Sequence, residues 1–421
     1  MRRHLARYGE WWWVPILYTL AVIWIYRDQW HVHGQPTGFG WDAIDSYGPD
    51  LQYQSDDLAR GQFSLWNPYD KGGYPLVGDP QYDRYYPFNW IFVVWGAVFG
   101  SSWWLIQIKI VAHHIVAAAT MHLFLRSRGL GVRAAIVGGF AIIACAPLLL
   151  HKASNILWPL VWVPLVWVAI DAALAKPSWR RGAALAAAFT LCVTAGSPPG
   201  LFYAGLLVGS YGAWRLAQTL IPPERRVRAL VICLAVAGAL IGLVVALTTV
   251  PAQAVVQLGS RFRWQPEDQF PLALSLPWAE SMRGVIARGA GLGEMYMGAA
   301  TCLVALCAVV VRPRFDGRIV ILFAIVAAIA LVLAGGENTP VLPWLVHHVP
   351  GFGLLRIPGR YKLVAAWSIA AAAGYGIGAL DTAIGSSRVR AIACAGAVVA
   401  IVVAFVGLRP EHDASRELWW S

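Results

Sequence analysis

The sequence predicts an all-α polytopic membrane protein with about eleven transmembrane helices, and three observations lead to that class. Of the 421 residues, 58% are apolar and only 13% are charged, whereas a soluble domain carries about 25% charged residues. Apolar runs recur along the chain, and eleven helices of about 20 residues would take about 220 positions. Basic clusters separate the runs, as in cytoplasmic loops. A water-soluble enzyme, a disordered chain and a secreted disulfide scaffold are excluded.

Eleven strong apolar runs give the predicted spans. The first run follows an arginine-rich start and ends without the small-residue cleavage site of a signal peptide, so it is interpreted as an uncleaved helix. A weaker run, 88–99, is placed along the membrane interface, because every basic cluster then falls on the cytoplasmic side. This threading puts the N-terminus in the cytoplasm and the C-terminus outside. The strong runs lie near 11–26, 103–125, 133–150, 155–174, 180–196, 199–217, 229–249, 295–311, 318–334, 362–380 and 389–408.

The chain is predicted to form one integral-membrane domain, 1–421, with three large extracytoplasmic segments: 27–102, 250–294 and 335–361. The first segment carries nine aspartates against four basic residues, and it is rich in aromatic residues, proline and glycine. It is too long for a connector and too aromatic for a disordered linker. We therefore expect it to fold into juxtamembrane helices on the membrane surface.

The charge distribution argues against a nucleic-acid partner, and the positions of the cysteines argue against disulfides and thiolate metal sites. The net charge of +11 is spread over the loops and forms no basic face, so no nucleic-acid partner is expected. The six cysteines all lie inside apolar runs and show no C-x-x-C spacing. A disulfide framework and a thiolate metal site are therefore excluded.

The first candidate for chemistry is an aspartate pair early in segment 27–102. Asp42 and Asp45 are three residues apart and share a face if the segment is helical. A carboxylate just outside the bilayer can take a proton from a hydroxyl nucleophile, or bind a divalent cation. Alternatively, Asp42 caps a short surface helix and Asp45 is merely solvated. The spacing alone leaves both interpretations open.

The second candidate is a basic stretch in front of a span that enters from outside. Arg356 and Arg360 are four residues apart, and Pro358 between them can start a helix. Their guanidinium groups can then converge on a phosphate group at the interface. Alternatively, both side chains extend to ordinary phospholipid head groups. This alternative also stays open.

Ionisable residues inside a span form the third candidate set. Lys109 and His113 share a face of one predicted helix, and ionisable residues inside a span are candidates for a proton path. Interhelical hydrogen bonds are the favoured alternative. Asp171, near a cytoplasmic span end, is expected to be solvated. Segment 250–294, which ends at Glu294, can line a substrate groove, and the absence of a nucleotide-binding motif favours a donor delivered on a lipid carrier.

Motifs in the loops resemble those of the YfhO family of bacterial membrane proteins. The resemblance covers most of the chain in short pieces, whose order and membrane placement make the set fairly specific. The matching pieces are Asp42-x6-Pro49, Gly61-x3-Leu65-Trp66-Asn67-Pro68-Tyr69, Gly73-x-Pro75, Tyr86-Pro87, Tyr296-x-Gly298, Gly336-Glu337-Asn338-Thr339-Pro340, and Pro350-Gly351-Phe352 leading into Arg356-Ile357-Pro358-Gly359-Arg360. Ser46 departs from the pattern, because a glutamine is expected there.

The resemblance implies a membrane glycosyltransferase of the GT-C type. Such an enzyme would move a monosaccharide from a polyprenyl-phosphate carrier to a glycopolymer or glycolipid acceptor of the cell envelope. Asp42 matches the catalytic acid, and Arg356 and Arg360 match arginines that would hold the carrier phosphate. Tyr86 of the Tyr86-Pro87 motif, Asp45, which has no counterpart in the family pattern, and Glu294 of segment 250–294 complete the predicted substrate-binding residues. The sequence indicates no particular cofactor, and whether Asp42 and Asp45 bind a divalent metal stays open.

Two rival functions remain from the sequence. One is a transporter or flippase of lipid-linked sugars that uses the Lys109–His113 face as its coupling path. The other is a non-catalytic scaffold for envelope assembly, which would require only the aromatic loop surface. The acidic outer loop, together with an outer arginine pair, favours the enzyme over both.

Overall fold

The computed structural model describes residues 9–27, 42–70, 72–219, 224–258, 272, 275, 285, 296–311 and 317–383. Helices dominate this part of the chain. Its strands are confined to one antiparallel pair, in which β1 (Trp66–Asn67) lies beside β2 (Tyr74–Pro75). The predicted all-α class is therefore confirmed for the described residues.

The helices follow the predicted apolar runs closely. A π-helix (Ala43–Tyr47) and short 3₁₀ turns at Pro80–Tyr82, Gly336–Asn338, Phe352–Leu354 and Pro358–Tyr361 lie between the longer elements. In chain order the α-helices are α1 (Glu10–Ile25), α2 (Gly48–Ala59), α3 (Pro87–Phe99), α4 (Trp103–Ser127), α5 (Val132–Ile143), α6 (Ala146–Leu150), α7 (Leu157–Leu160), α8 (Val163–Ala175), α9 (Trp179–Thr194), α10 (Pro198–Thr219), α11 (Glu224–Leu258), α12 (Ala299–Val311), α13 (Gly317–Ala334), α14 (Val341–His348) and α15 (Lys362–Ala383).

Length and composition identify the membrane-spanning candidates. Among the described residues, four helical stretches are long and apolar enough to cross a bilayer: 103–127, 157–175, 227–253 and 358–382. The helices α1, α3, α5, α12 and α13 are apolar but shorter. Every predicted run from the first to 362–380 coincides with helix, whereas the run 389–408 lies outside the described residues. The total of eleven spans stays a prediction.

Prolines divide two of the predicted spans. The run 133–150 breaks between α5 and α6, and Pro147 lies in the first turn of α6. The run 155–174 breaks between α7 and α8, where Pro164 lies in the first turn of α8. Proline has no N–H to donate and disfavours helical backbone in the residue before it. A hydropathy window cannot detect such breaks, because the apolar character continues through them.

Helix α15 is the centre of the bundle. It packs against α5, α12 and α13, and most residues of the apolar stretch 358–382, to which it belongs, are buried. Small side chains allow these close approaches, since a Cβ atom on Gly376 would overlap the backbone carbonyl of Val304 and one on Gly374 would meet Leu125. Small residues at helix contacts are the usual solution where lipid surrounds the helices.

One end of the bundle is held by ion pairs. Asp171 of α8 accepts hydrogen bonds from Arg128 at 2.9 Å, Arg215 at 2.6 Å and the Tyr211 hydroxyl at 2.8 Å. The Asp171 side chain is only 15% exposed. The prediction that Asp171 is solvated is therefore wrong, because arginines from two other helix ends converge on it. These contacts bring the ends of α4, α8 and α10 together.

The close packing of α15 yields the first testable expectation. Gly376→Ala should destabilise the protein by about 1–3 kcal/mol, because the added methyl group overlaps the backbone of α12. Thermal unfolding in detergent micelles measures the change. Gly205→Ala on α10 is the matched control, since no atom lies within 4 Å of its added Cβ. Equal unfolding temperatures for the two variants would contradict the close approach.

Candidate functional site

The part of segment 27–102 that the structure describes from residue 42 to 99 folds on the end of the bundle. We call these residues the loop-one unit. Its centre is Asp57, which accepts hydrogen bonds from the Ser64 backbone N at 2.6 Å, the Ser64 hydroxyl at 2.7 Å and Arg84 at 3.2 Å. Burial opposes ionisation of Asp57, but these donors outweigh it and lower the pKa of the carboxyl below its usual value. The described residues of this loop are folded, and their place on the extracytoplasmic membrane surface stays a prediction.

Helix α3 has the properties of an interfacial helix. Its 13 residues reach about 20 Å, which is short of the roughly 30 Å hydrocarbon core of a bilayer. One face is buried, including Phe92 and Val93, while Trp95 and Phe99 on the other face are exposed. That the run 88–99 lies along the membrane stays a prediction.

A buried ion pair joins the loop-one unit to α4. Lys109 Nζ donates to Asp83 Oδ2 at 2.8 Å and to Asn89 Oδ1 at 2.7 Å, and it lies 4.1 Å from the ring centroid of Trp158. Both charged side chains are less than 5% exposed. Burial raises the pKa of Asp83 to about 6, although the Lys109 charge opposes the rise. Gly196 packs directly on the carboxylate, and any side chain there would overlap it.

The residue one turn further along α4 makes a second connection. His113 Nδ1 lies 2.7 Å from the Lys109 carbonyl oxygen, and an N–H must donate there because a carbonyl only accepts. His113 Nε2 is then an acceptor for the Tyr86 hydroxyl at 3.0 Å, while Trp162 Nε1 donates to the same hydroxyl at 2.6 Å. The Lys109–His113 face is thus occupied by hydrogen bonds between helices and loop. This is the alternative that the sequence favoured over a proton path.

Tyr86, a predicted substrate contact, belongs to this connection. Its side chain is fully buried, and its hydroxyl contacts both partners described above. Burial raises the pKa of Tyr86 well above its usual value, so the hydroxyl stays protonated. A role for Tyr86 in substrate binding stays a prediction.

Asp42 lies at the start of the π-helix. Its Oδ2 accepts a hydrogen bond from the Tyr47 hydroxyl at 3.2 Å, across the five-residue spacing that a π-helix brings together. Asp42 is half-buried, whereas Asp45 is exposed. The two carboxylates therefore have different surroundings, and the α-helical spacing that would place them on one face is not the one the chain adopts. The partner that shares the face of Asp42 is Tyr47.

Arg360 is brought into the same electrostatic environment from the far end of the chain. Its guanidinium group interacts electrostatically with Asp42, Tyr47, Tyr203 and Arg356. Within the part of the chain that the structure describes, its buried Nε has no hydrogen-bond partner. A guanidinium N–H that is buried without an acceptor is costly, and an anion bound at this place would remove that cost.

The backbone around the arginines differs in one respect from the prediction. Pro358 does start a helical turn, as predicted, but Ile357 before it has φ of 63°. This left-handed conformation is unusual for a branched residue. Arg356 therefore lies ahead of the turn and is exposed, while Arg360 lies within it and is half-buried. The two arginines are not consecutive positions on one helix face.

His151, which no sequence pattern singles out, is coupled to the arginine turn. His151, directly after α6, interacts electrostatically with Lys362 and Arg360. Burial and these two cations lower the pKa of His151 well below its usual value. The imidazole is therefore neutral at pH 7, and Arg360 and Lys362 supply the positive charge there.

Some expected contributors are not tested by the described residues. Glu294 lies outside them, as does most of segment 250–294. Among the residues that the structure describes, no group of three His, Cys, Asp or Glu side chains is placed to hold a metal ion. Sequence reasoning missed two residues of the site: Asp83, the partner of Lys109, and Asn155, whose backbone N–H lies 3.5 Å from the Tyr47 hydroxyl. The signal for Asp83 was the buried Lys109, because a lysine inside a span requires an acidic partner.

Comparison with known proteins gives a likeness to solved structures but none to sequences. No protein-family model and no curated protein sequence matches the chain, so the resemblance to the YfhO family stays a prediction. Among solved structures, the chain is similar to the archaeal oligosaccharyltransferase AglB from Archaeoglobus fulgidus, solved with an inhibitory peptide and a dolichol-phosphate. The TM-score is 0.46 at 10% sequence identity, over 94% of this chain and 55% of that one. The chain thus spans about half the length of AglB.

The ion pair between loop and bundle can be tested by a substitution pair. Lys109→Met should destabilise the protein by about 3–5 kcal/mol, because it leaves the Asp83 charge buried without its partner. The double variant Lys109→Met/Asp83→Asn should recover most of that loss, since neither buried side chain is then charged. Detergent-solubilised protein unfolded by heat provides the measurement. If both variants lost the same stability, the ion pair would not be what docks the loop-one unit.

Proposed function

We propose that the protein is a membrane glycosyltransferase that moves a monosaccharide from a polyprenyl-phosphate carrier to a cell-envelope acceptor. The reaction would occur at the extracytoplasmic face of the bacterial cytoplasmic membrane, as the resemblance to the YfhO family implies. The observation that carries the proposal is the half-buried Arg360, whose buried Nε has no acceptor among the described residues and whose charge is sensed together with that of Asp42. The proposal assigns this guanidinium group and the Asp42 carboxylate to one site.

The proposed chemistry assigns one role to each charge. The Asp42 carboxylate accepts the proton of an acceptor hydroxyl, whose oxygen forms a bond to the anomeric carbon of the sugar. The bond between that carbon and the carrier phosphate oxygen breaks, and the phosphate leaves with the electron pair. Arg360 and Arg356 stabilise the charge on the phosphate through charge-assisted hydrogen bonds. No nucleotide is required, in agreement with the lack of a nucleotide-binding motif.

The depth of the two arginines supports this division of roles. Arg356 is exposed, so it can meet the phosphate of a carrier that arrives along the membrane surface. Arg360 is half-buried and holds an N–H without an acceptor among the described residues. A site that is partly shielded from water strengthens such interactions. The exposed face of α3 would place this site at the lipid interface, where the prenyl chain remains.

The contacts of Lys109 and His113 support the enzyme over the flippase. A coupling path needs groups that exchange protons during transport. In this protein Lys109 is held by Asp83 and Asn89, and both nitrogens of His113 have fixed partners. These side chains therefore have a structural task that accounts for their presence inside the span.

Asp42→Asn tests the proposed base. The substitution keeps the shape of the side chain and removes its ability to accept a proton, so transfer should be abolished. Mass spectrometry of envelope glycans first identifies the monosaccharide that is missing in cells without the gene. Complementation with Asp42→Asn should then fail to restore it.

The control for this substitution lies in the same loop-one unit. Asp56→Asn changes an aspartate that accepts a hydrogen bond from Ser101 at 3.2 Å, and an asparagine oxygen can still accept that bond. This variant should restore the glycan fully. Restoration by Asp42→Asn as well would remove the assignment of Asp42 as base, and unchanged glycans in cells without the gene would remove the proposed function.

The arginines are expected to act on the rate. Arg356→Ala should slow transfer by about 10²–10³-fold, the usual effect of removing one group that stabilises transition-state charge. Arg360→Lys should also slow it, because lysine keeps the charge but not the planar fork of donors. Purified enzyme in proteoliposomes with synthetic undecaprenyl-phosphate monosaccharides gives the rates. Arg60→Ala, a half-exposed arginine of the loop-one unit with 55% of its side chain accessible, is the control and should stay within twofold of the wild type.

A further inference from the structure

Tyr47 is a further residue of the candidate site, next to Asp42. Its side chain is only 4% exposed, and its hydroxyl is the hydrogen-bond donor to Asp42 described above. The π-helix brings the hydroxyl to the carboxylate, and single-turn π-helical segments are frequent at functional sites. Nothing in the proposed reaction has yet used this residue.

The direction of the hydrogen bond follows from the neighbours of the hydroxyl. The backbone N–H of Asn155 lies 3.5 Å from Tyr47 Oη and can only donate. The hydroxyl therefore accepts from Asn155 and directs its own proton to Asp42. Burial, followed by the nearby Asp42 charge, raises the pKa of Tyr47 far above its usual value. The group thus remains a donor at every pH at which the enzyme would work.

The ring of Tyr47 packs against side chains of the helical bundle. It packs on Trp158, with ring centroids 5.2 Å apart. Trp158 in turn stacks on His113 at 4.9 Å and carries the Lys109 ammonium group over its ring. Asn155 is fixed by a hydrogen bond from its side-chain nitrogen to the Gly196 carbonyl at 2.8 Å. The hydroxyl therefore has one position, set by α4, α7 and the turn at Gly196.

We propose that Tyr47 is a positioning residue, whose hydroxyl fixes one oxygen of Asp42 and so aims the other at the acceptor hydroxyl. The inference rests on the proposed function. A general base must lie within hydrogen-bond reach of the proton it takes, and a misplacement of about 1 Å can cost about 10²-fold in rate. A carboxylate on a short side chain rotates unless a neighbour holds it, and Tyr47 supplies that contact without entering the reaction.

Tyr47→Phe is the direct test, because it removes the hydroxyl and keeps the ring on Trp158. In proteoliposomes with synthetic undecaprenyl-phosphate monosaccharides, kcat should fall about tenfold or more, while KM for the donor stays within twofold. Incorporation of 3-fluorotyrosine at position 47 retains the hydroxyl and should restore kcat. Tyr53→Phe is the matched control, since that hydroxyl donates only to the Trp66 carbonyl, at 3.1 Å, and its loss should change neither constant.

The outcomes separate this inference from the proposed function. Wild-type transfer combined with an unchanged kcat for Tyr47→Phe would overturn the positioning role alone. A rise in KM that equals the loss in kcat, or a loss that 3-fluorotyrosine does not repair, would also overturn it, because either result indicates a general structural defect. If the wild type transferred none of the sugars in the panel, and cells without the gene had unchanged glycans, both proposals would fall.

Discussion

The pairing of Lys109 with Asp83 is the interaction on which the described site depends. A lysine inside a membrane helix cannot remain without compensation, and the compensating carboxylate comes from the loop-one unit. Satisfying the charge therefore fixes where that unit lies on the bundle. Trp158 receives the same ammonium group on its ring and supports Tyr47, so the position of Asp42 follows indirectly from the need to neutralise one cation.

The electrostatic interaction between Asp42 and Arg360 depends on the tertiary fold. The two residues belong to distant parts of the chain, the loop-one unit and the turn before α15, and only the folded protein relates their charges. Groups that are held before the substrate arrives need little rearrangement during the reaction, which is the physical basis of electrostatic catalysis. The hydrogen bonds around Tyr47 extend that rigidity to the carboxylate.

Sequence reasoning predicted the helices well, because apolar character repeats locally and needs no knowledge of neighbours. It also predicted that segment 27–102 folds and that Pro358 starts a turn, since aromatic content and proline geometry act locally. It could not predict the π-helix at Ala43–Tyr47, because the change from a spacing of three residues to a spacing of five, which brings Tyr47 instead of Asp45 to Asp42, leaves no mark in the sequence. Nor could it identify Asn155 or the partners of Asp171, which are brought near only by helix packing.

The left-handed backbone at Ile357 has a consequence for how the arginine turn could change over time. A branched residue in this region costs about 1–3 kcal/mol and persists only where the surroundings hold it, as the buried Leu355, Pro358 and Gly359 do here. Glycine at this position would relieve the torsional cost but would also let the two flanking guanidinium groups drift independently. The chain thus keeps a locally unfavourable residue between the exposed arginine and the shielded one.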